Sequence, residues 1–294
     1  MKILVLGSEG QLGRCLRDQF AVTDYEVIFT SRKEADLSNT TLLRAKILLA
    51  KPDVVINAAA FTAVDNAENE ANTSDLINHL AVASIADACN ELGSWIIHIS
   101  TDYVFDGTAK SPYKEDEKTN PNSVYGKSKL RGEISIKASG SKYLIIRTAW
   151  VFSEYGNNFL KTMLQIGRDR NELNIVNDQI GCPTYAQDIA KVIISMLPST
   201  ALNKTNSGIF HFCGDHSCTW YEFAKFIFLE AKALGLKTPE KVNPIKTMDY
   251  PTLAVRPSYS VLECSKIKNT FNVSRSNWRI EIKNIIKRVN NLND

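Results

Sequence analysis

Residues 3–13 read ILVLGSEGQLG, an apolar run that halts at Gly7 and passes through Gly10 and Gly13 into the segment QLGRCLRDQF. A short run of Ile, Leu and Val ending at a glycine has the length and composition of a buried strand, and the segment behind it has helical spacing. The glycines therefore fall at a strand-to-helix turn, where they permit a tight bend and let backbone amides approach a pyrophosphate. Their spacing is GxxGxxG rather than GxGxxG, with Gln11 and Leu12 filling the turn between the last two. Any strand–helix turn can use glycine, so the weight of this reading depends on the rest of the chain.

Downstream the pattern repeats. EVIFTS, DVVINAA, SWIIHIS and YLIIRTAW are short apolar runs bounded by turns, and between them TTLLRAKILLA, NHLAVASIADACNELG and SKLRGEISIKA have helical spacing. Strand alternating with helix predicts an α/β fold, a doubly wound parallel sheet of the Rossmann kind. Past residue 150 the rhythm weakens: helices are expected at NFLKTMLQIG and QDIAKVIISML, a strand at GIFHFCG and a capped helix at SCTWYEFAKFIF. The expected organisation is a dinucleotide-binding domain from residues 1–150 with 184–214. A smaller C-terminal substrate-binding lobe would come from 151–183 with 215–294.

Composition narrows the function classes. The chain has 294 residues, 44% hydrophobic and 23% charged, as in ordinary soluble domains. Its net charge of +3 is spread without a basic stripe, so no nucleic-acid partner is expected. The N-terminal apolar run is too short for a signal-peptide core and no stretch approaches a membrane span, which predicts a cytoplasmic protein with no membrane partner. Six cysteines without CxxC spacing suit reduced thiols. HFCGDHSC gathers His211, Cys213, His216 and Cys218, all zinc-ligand types. The cluster straddles a strand–turn–helix junction that leaves its members unaligned, and no metal is assigned to it.

After the second strand the chain reads FTSRKEADL. An acidic residue at that strand end would bind ribose hydroxyls, whereas a basic one favours a 2′-phosphate. Thr30, Ser31 and Arg32 offer two hydroxyls and a guanidinium with no carboxylate at the strand end, so NADPH is expected over NADH. Asp36 and Leu37 are placed to meet adenine through a carboxylate and a backbone amide. Further on, IIHISTDYVFDG ends a strand at Ser100 and Thr101, the carboxyl edge where such sheets bind ligands. SVYGKSK then sets Tyr125 and Lys129 four residues apart, on one face of a helix. A cation beside a phenol favours phenolate and lowers a pKa that is otherwise about 10.

With these segments the chain resembles the extended short-chain dehydrogenase/reductases. The likeness runs nearly end to end, through GSEGQLG, DVVINAAAFTAVDNAE, STDYVFDG, VYGKSKLRGE, RTAWVFSEYGNNF, VNDQIGCPTYAQDIA and WYEFA in order. The resemblance implies that Thr101 hydrogen-bonds a substrate carbonyl and that Tyr125 is the general acid. It implies that Lys129 binds the nicotinamide ribose and lowers the tyrosine pKa. Ala58, Ala59, Ala60, Phe61 and Thr62 would line the cofactor, and Asp102 and Trp150 would lie beside a sugar nucleotide. Asn158 and Arg256 become candidates for its diphosphate, since a guanidinium suits phosphate oxygens. Two of these positions keep a second reading: residues 58–62 as a small-residue packing turn, and Trp150 as core.

The implied activity is reduction of the C4 carbonyl of dTDP-4-dehydro-L-rhamnose by NADPH. The alternatives are a reductase of another nucleotide-linked 4-keto-6-deoxy sugar, or a non-catalytic regulatory subunit on the same fold; intact Thr101, Tyr125 and Lys129 argue against the latter. Two departures from the family pattern stand out. Its usual Arg-Pro-x-Asn-Ser reads RPSYS, with Tyr259 replacing the asparagine. Some relatives pair through a magnesium ion held by carboxylates; a matching position here is Gln187, so magnesium is not carried over and a homodimer is left open.

Overall fold

The computed structural model describes residues 1–202, 207–275 and 277–291. The first half runs β1 (Lys2–Leu6), α1 (Gln11–Phe20), β2 (Glu26–Thr30), α2 (Thr40–Ala50), β3 (Val54–Asn57), α3 (Val64–Asn69) and α4 (Ala71–Asp75). A π-helical turn, Leu76–Leu80, leads into α5 (Ala81–Leu92), β4 (Trp95–Thr101), α6 (Val124–Ala138) and β5 (Lys142–Thr148). The second half continues with β6 (Val151–Phe152), α7 (Phe159–Asp169), β7 (Glu172–Val176), β8 (Ile180–Gly181), β9 (Thr184–Tyr185) and α8 (Ala186–Leu202). It closes with β10 (Gly208–His211), β11 (Cys218–Thr219), α9 (Trp220–Ala233), β12 (Lys241–Ile245), α10 (Ser265–Phe271) and α11 (Trp278–Asn291).

Six strands form one parallel sheet in the order β10-β5-β4-β3-β1-β2. Its strands are apolar on both faces because both faces are covered. Ile3, Val5, Ile56, Ile97 and Ile146 point to one side, onto Leu12, Leu16 and Phe20 of α1 and Ile189, Ile193 and Met196 of α8. Their neighbours Leu4, Leu6, Val55, Ile96 and Ile145 point to the other, onto Leu43 and Ile47 of α2, Ile85 and Cys89 of α5, and Ile136 of α6. The period of two along each strand thus feeds two separate helix layers, the doubly wound arrangement.

A third core lies outside the sheet. Phe152, Leu160, Met163, Leu173, Phe223, Ile227, Trp278, Ile282 and Ile286 pack together, drawn from β6, α7, β7, α9 and α11. Thr219 starts α9 with a reciprocal cap: its hydroxyl accepts from Glu222 N–H (3.1 Å) and the Glu222 carboxylate accepts from Thr219 N–H (2.8 Å). Val261, Leu262, Cys264 and Ile267 return to the first sheet face. In the HFCGDHSC stretch, His211 is buried with Nδ1 on the Tyr113 carbonyl (3.0 Å), and the Cys213 sulfur faces that of Cys264 (3.7 Å). All six cysteines are buried and free. Among the described residues no helix is long and apolar enough to cross a membrane.

Candidate active site

The chain leaves β1 for β2 on one side and returns to β3 on the other, so the connections after β1 and β3 diverge at the carboxyl edge and open a crevice. The Gly7–Gly13 turn lies there. A Cβ on Gly13 would come within 2.2 Å of the Gly7 carbonyl oxygen, so the turn closes only with glycine at that position. Helix α1 begins at Gly10 without a side-chain cap and without an acidic residue in its first turn. The amides of Gln11, Leu12 and Gly13 are therefore offered to an anion, and this end of the helix fits a dinucleotide pyrophosphate.

At the end of β2 the structure corrects two expectations. Thr30 is 1% exposed and donates its hydroxyl to the Val5 carbonyl (2.9 Å), so it faces the sheet and offers nothing to a phosphate. A carboxylate is present after all: Glu34 folds back to accept from both the N–H and the hydroxyl of Ser31, each at 2.8 Å. Those bonds hold the Glu34 carboxyl below its usual range. Arg32 reaches into solvent, its side chain 81% exposed, with an ion pair from its Nε to Asp36 at 3.8 Å. Asp36 accepts from Ser38 N–H (2.9 Å), and Leu37 is buried among the apolar side chains of the α2 layer.

The catalytic candidates converge at the end of β4. Ser123 caps α6 by accepting from Gly126 N–H (3.1 Å), which fixes the first turn that carries Tyr125. A Cβ on Gly126 would meet the Tyr103 carbonyl oxygen at 2.2 Å, so glycine here lets α6 lie against the segment after β4. The Tyr125 phenol stands beside the Thr101 hydroxyl, which acts to lower its pKa, and its ring meets Tyr103 edge to face at 5.6 Å. Thr101 in turn donates to Asp102 Oδ1 (3.0 Å), while Asp102 Oδ2 is buried with no partner among the described residues. Burial pushes the Asp102 carboxyl up to about 6 against the hydrogen bonds from Ser260 and Thr101.

Lys129 shares the buried face of α6 with Tyr125 and is 1% exposed, but its amino group turns to the sheet. Nζ donates to the Ile99 carbonyl (2.6 Å) and lies 3.1 Å from His98 Nε2. Burial raises the Tyr125 phenol, Thr101 opposes it, and Lys129 is not among the groups that shift it. Burial brings Lys129 itself down to about 8, with Glu133 opposing.

Ala58, Ala59, Ala60, Phe61 and Thr62 lead away from β3, and Asn78 of the π-helical turn holds them. Its amide accepts from Phe61 N–H (2.9 Å), donates to the Phe61 carbonyl (3.0 Å) and donates to Ser128 Oγ of α6 (3.1 Å). Asn78, Asn57 and His98 were not singled out from the sequence. Their only signal is a polar side chain inside an otherwise apolar run.

The outer candidates have structural partners. Asn158 donates to Gln11 Oε1 (2.9 Å) and to the Ser153 carbonyl (2.8 Å), and its Oδ1 caps α7 through Lys161 N–H (3.2 Å). Its amide is spent joining α7 to the glycine turn, not aimed at a diphosphate. Arg256 is paired with Asp65 of α3 (2.7 Å) and reaches the Tyr103 hydroxyl (3.4 Å), so its charge is already neutralised. Trp150 has φ of +47° and stacks on Trp220 with ring centroids 3.4 Å apart, on the flank of the third core. Tyr259 pairs with Ile180 of β8 through the backbone, and Gln187 Oε1 is buried without a partner among the described residues.

Comparison with known proteins places this geometry. Residues 1–291 match the family described as RmlD substrate binding domain. The chain is 44% identical over 287 residues to a dTDP-4-dehydrorhamnose reductase of Aggregatibacter actinomycetemcomitans, covering 97% of this chain and 98% of that one. It is 38% identical to the dTDP-4-dehydrorhamnose reductase of Escherichia coli K12, covering 98% of each. Among solved structures, a dTDP-4-dehydrorhamnose reductase from Clostridium acetobutylicum superposes with a TM-score of 0.92 at 40% identity, covering 99% of this chain and 100% of that one. Another, from Bacillus anthracis in complex with NADP, gives 0.88 at 34% identity, covering 97% and 98%.

Proposed function

The chain belongs to the dTDP-4-dehydrorhamnose reductase family, and from that premise we propose that it reduces the C4 carbonyl of dTDP-4-dehydro-L-rhamnose with NADPH to give dTDP-L-rhamnose. The observation that carries the reading is the convergence of Thr101, at the carboxyl edge of β4, with Tyr125 in the first turn of α6, beside the unpartnered oxygen of Asp102. NADPH, when bound, supplies the hydride. Tyr125, a neutral phenol in its buried setting, gives its proton to the C4 oxygen as negative charge develops there. Thr101 stands next to that oxygen's position and orients the phenol. Asp102 Oδ2 is an acceptor waiting for a sugar hydroxyl. The glycine turn and the start of α1 hold the pyrophosphate, Ser31 and Arg32 the 2′-phosphate, and the lobe around Phe223 and Trp278 the nucleotide sugar.

NADPH oxidation measured with dTDP-4-dehydro-L-rhamnose, and with other nucleotide-linked 4-keto-6-deoxy sugars, tests the assignment. Turnover is expected with the dTDP-rhamnose precursor. Preference for a different base or sugar would replace the substrate, and cofactor binding without turnover of any of them would make the chain a non-catalytic subunit.

A further inference from the structure

A chain of hydrogen bonds runs from a backbone amide to the amino group of Lys129, and each link fixes the next. Ala59 N–H can only donate, and it donates to Asn57 Oδ1 (3.2 Å). The Asn57 amide is thereby oriented, with Nδ2 facing His98 Nδ1 at 3.1 Å across paired positions of β3 and β4. An amide nitrogen is a donor, so Nδ1 must accept and the ring proton of a neutral His98 sits on Nε2. Nε2 lies 3.1 Å from Lys129 Nζ. An N–H pointed at an ammonium would be two donors face to face, whereas an amine accepts it. Asn57, His98 and Lys129 are each no more than 1% exposed, so water cannot relieve the conflict.

We propose that His98 is a positioning residue that holds Lys129 as a neutral amine in the resting enzyme, donating Nε2–H to Nζ while Nζ–H donates to the Ile99 carbonyl. Proton uptake by Lys129 removes the lone pair that His98 holds, so charging the lysine and releasing it from His98 are one event. This rests on the reductase reading, to which it adds that Lys129 in its ammonium form restocks the proton that Tyr125 gives up. The other titratable groups near the pair are few. Glu133, one turn along α6, is bonded to Arg147 of β5 (2.7 Å) and Ser100 of β4 (2.5 Å), and Tyr125 lies one turn back. From the helices outside α6, the described residues that bond Ser128 beside the pair are the uncharged Ser74 and Asn78. Burial holds His98 well below its ordinary pKa and brings Lys129 down to about 8, both shifts in the direction of neutral partners.

Nitrogen-15 NMR of the full chain labelled at histidine, without substrate, reads the tautomer directly: Nε2 protonated and Nδ1 bare is expected, and the opposite tautomer overturns the proposal. The second readout is the pH profile of turnover. Because His98 stabilises the uncharged amine, its loss raises the lysine pKa and moves the alkaline limb upward. His98→Gln, whose carbonyl can accept from an ammonium, and Asn57→Asp, which accepts from Nδ1–H and reverses the tautomer, should each shift that limb up by about one pH unit. A limb that stays in place in both variants sinks the idea. If the parent turns over no nucleotide keto-sugar, the functional reading fails while the NMR measurement still decides the state of the pair.

Discussion

Removing one oxygen from Tyr125 separates binding from chemistry. Tyr125→Phe leaves ring packing against Tyr103 in place but takes away the proton donor, so turnover is expected to fall by about 10² to 10⁴ with NADPH affinity nearly unchanged. Single-turnover rates and a cofactor titration check both halves. Asp102 makes a second case, in which function costs stability. Its carboxyl is pushed up to about 6 in the fold, against about 3.9 in an unfolded chain, so between those values the native state binds the proton more tightly. Stability therefore falls as pH rises through that window, by about 3 kcal/mol for the two-unit shift. Asp102→Asn should raise the melting temperature at about pH 8, leave it unchanged near pH 3, and weaken substrate binding; equal melting temperatures at pH 8 would mean the carboxyl is not burdened by burial. Thr101 and Tyr125 were legible in the sequence at a strand edge and a helix face, their roles and Asp102 coming from the family resemblance. His98 and Asn57 were not, since they act on Lys129 through a register between β3 and β4 that no local pattern announces.

At the scale of an element, the glycine turn divides into positions that serve packing and one that serves the ligand. A Cβ on Gly13 collides with the Gly7 carbonyl at 2.2 Å, whereas on Gly10 it would make ordinary contact at 3.4 Å. Gly13→Ala should cost about 1–3 kcal/mol of stability. Gly10→Ala should stay within about 0.5 kcal/mol while weakening NADPH binding, because the added methyl stands at the start of α1 where the pyrophosphate must approach. Thermal unfolding paired with cofactor titration tells the two apart. The turn after β2 carries cofactor choice. Charge-assisted bonds to phosphate contribute about 1.5–3 kcal/mol, so Arg32→Ala should raise the NADPH Michaelis constant about 10-fold or more and hardly touch NADH. Glu34→Gln should lower it, since a negative charge leaves Ser31; identical constants in parent and variant would show that Glu34 swings clear when cofactor binds. The strands and their helices were readable because a sheet covered on both faces demands continuous apolar runs. Glu34 escaped because it lies four residues past the strand end and returns through space.

Across the whole molecule, α7 is tied to the cofactor crevice by small polar bonds rather than by apolar packing. Asn158 both caps α7 and holds Gln11 at the head of α1. Asn158→Ala should cost about 1 kcal/mol as a lost cap and weaken NADPH binding a few-fold, with dTDP affinity unchanged. Separate titrations of the two ligands check this, and a selective loss of dTDP binding would restore the diphosphate role suggested by the sequence. No pattern in the chain indicated that tie, because its two ends are 147 positions apart. The stacked indoles of Trp150 and Trp220 have a different consequence. One lies just past the end of β5, the other begins α9, and their centroids lie 3.4 Å apart at 5° from parallel. Two like chromophores at that distance couple their strong far-ultraviolet transitions, which can appear as paired circular-dichroism signals of opposite sign. The splitting changes steeply with separation and angle, so the protein carries its own optical gauge of where α9 stands relative to the sheet. Adding NADPH and then a nucleotide sugar while watching that signal would tell, without any label, whether either ligand shifts α9.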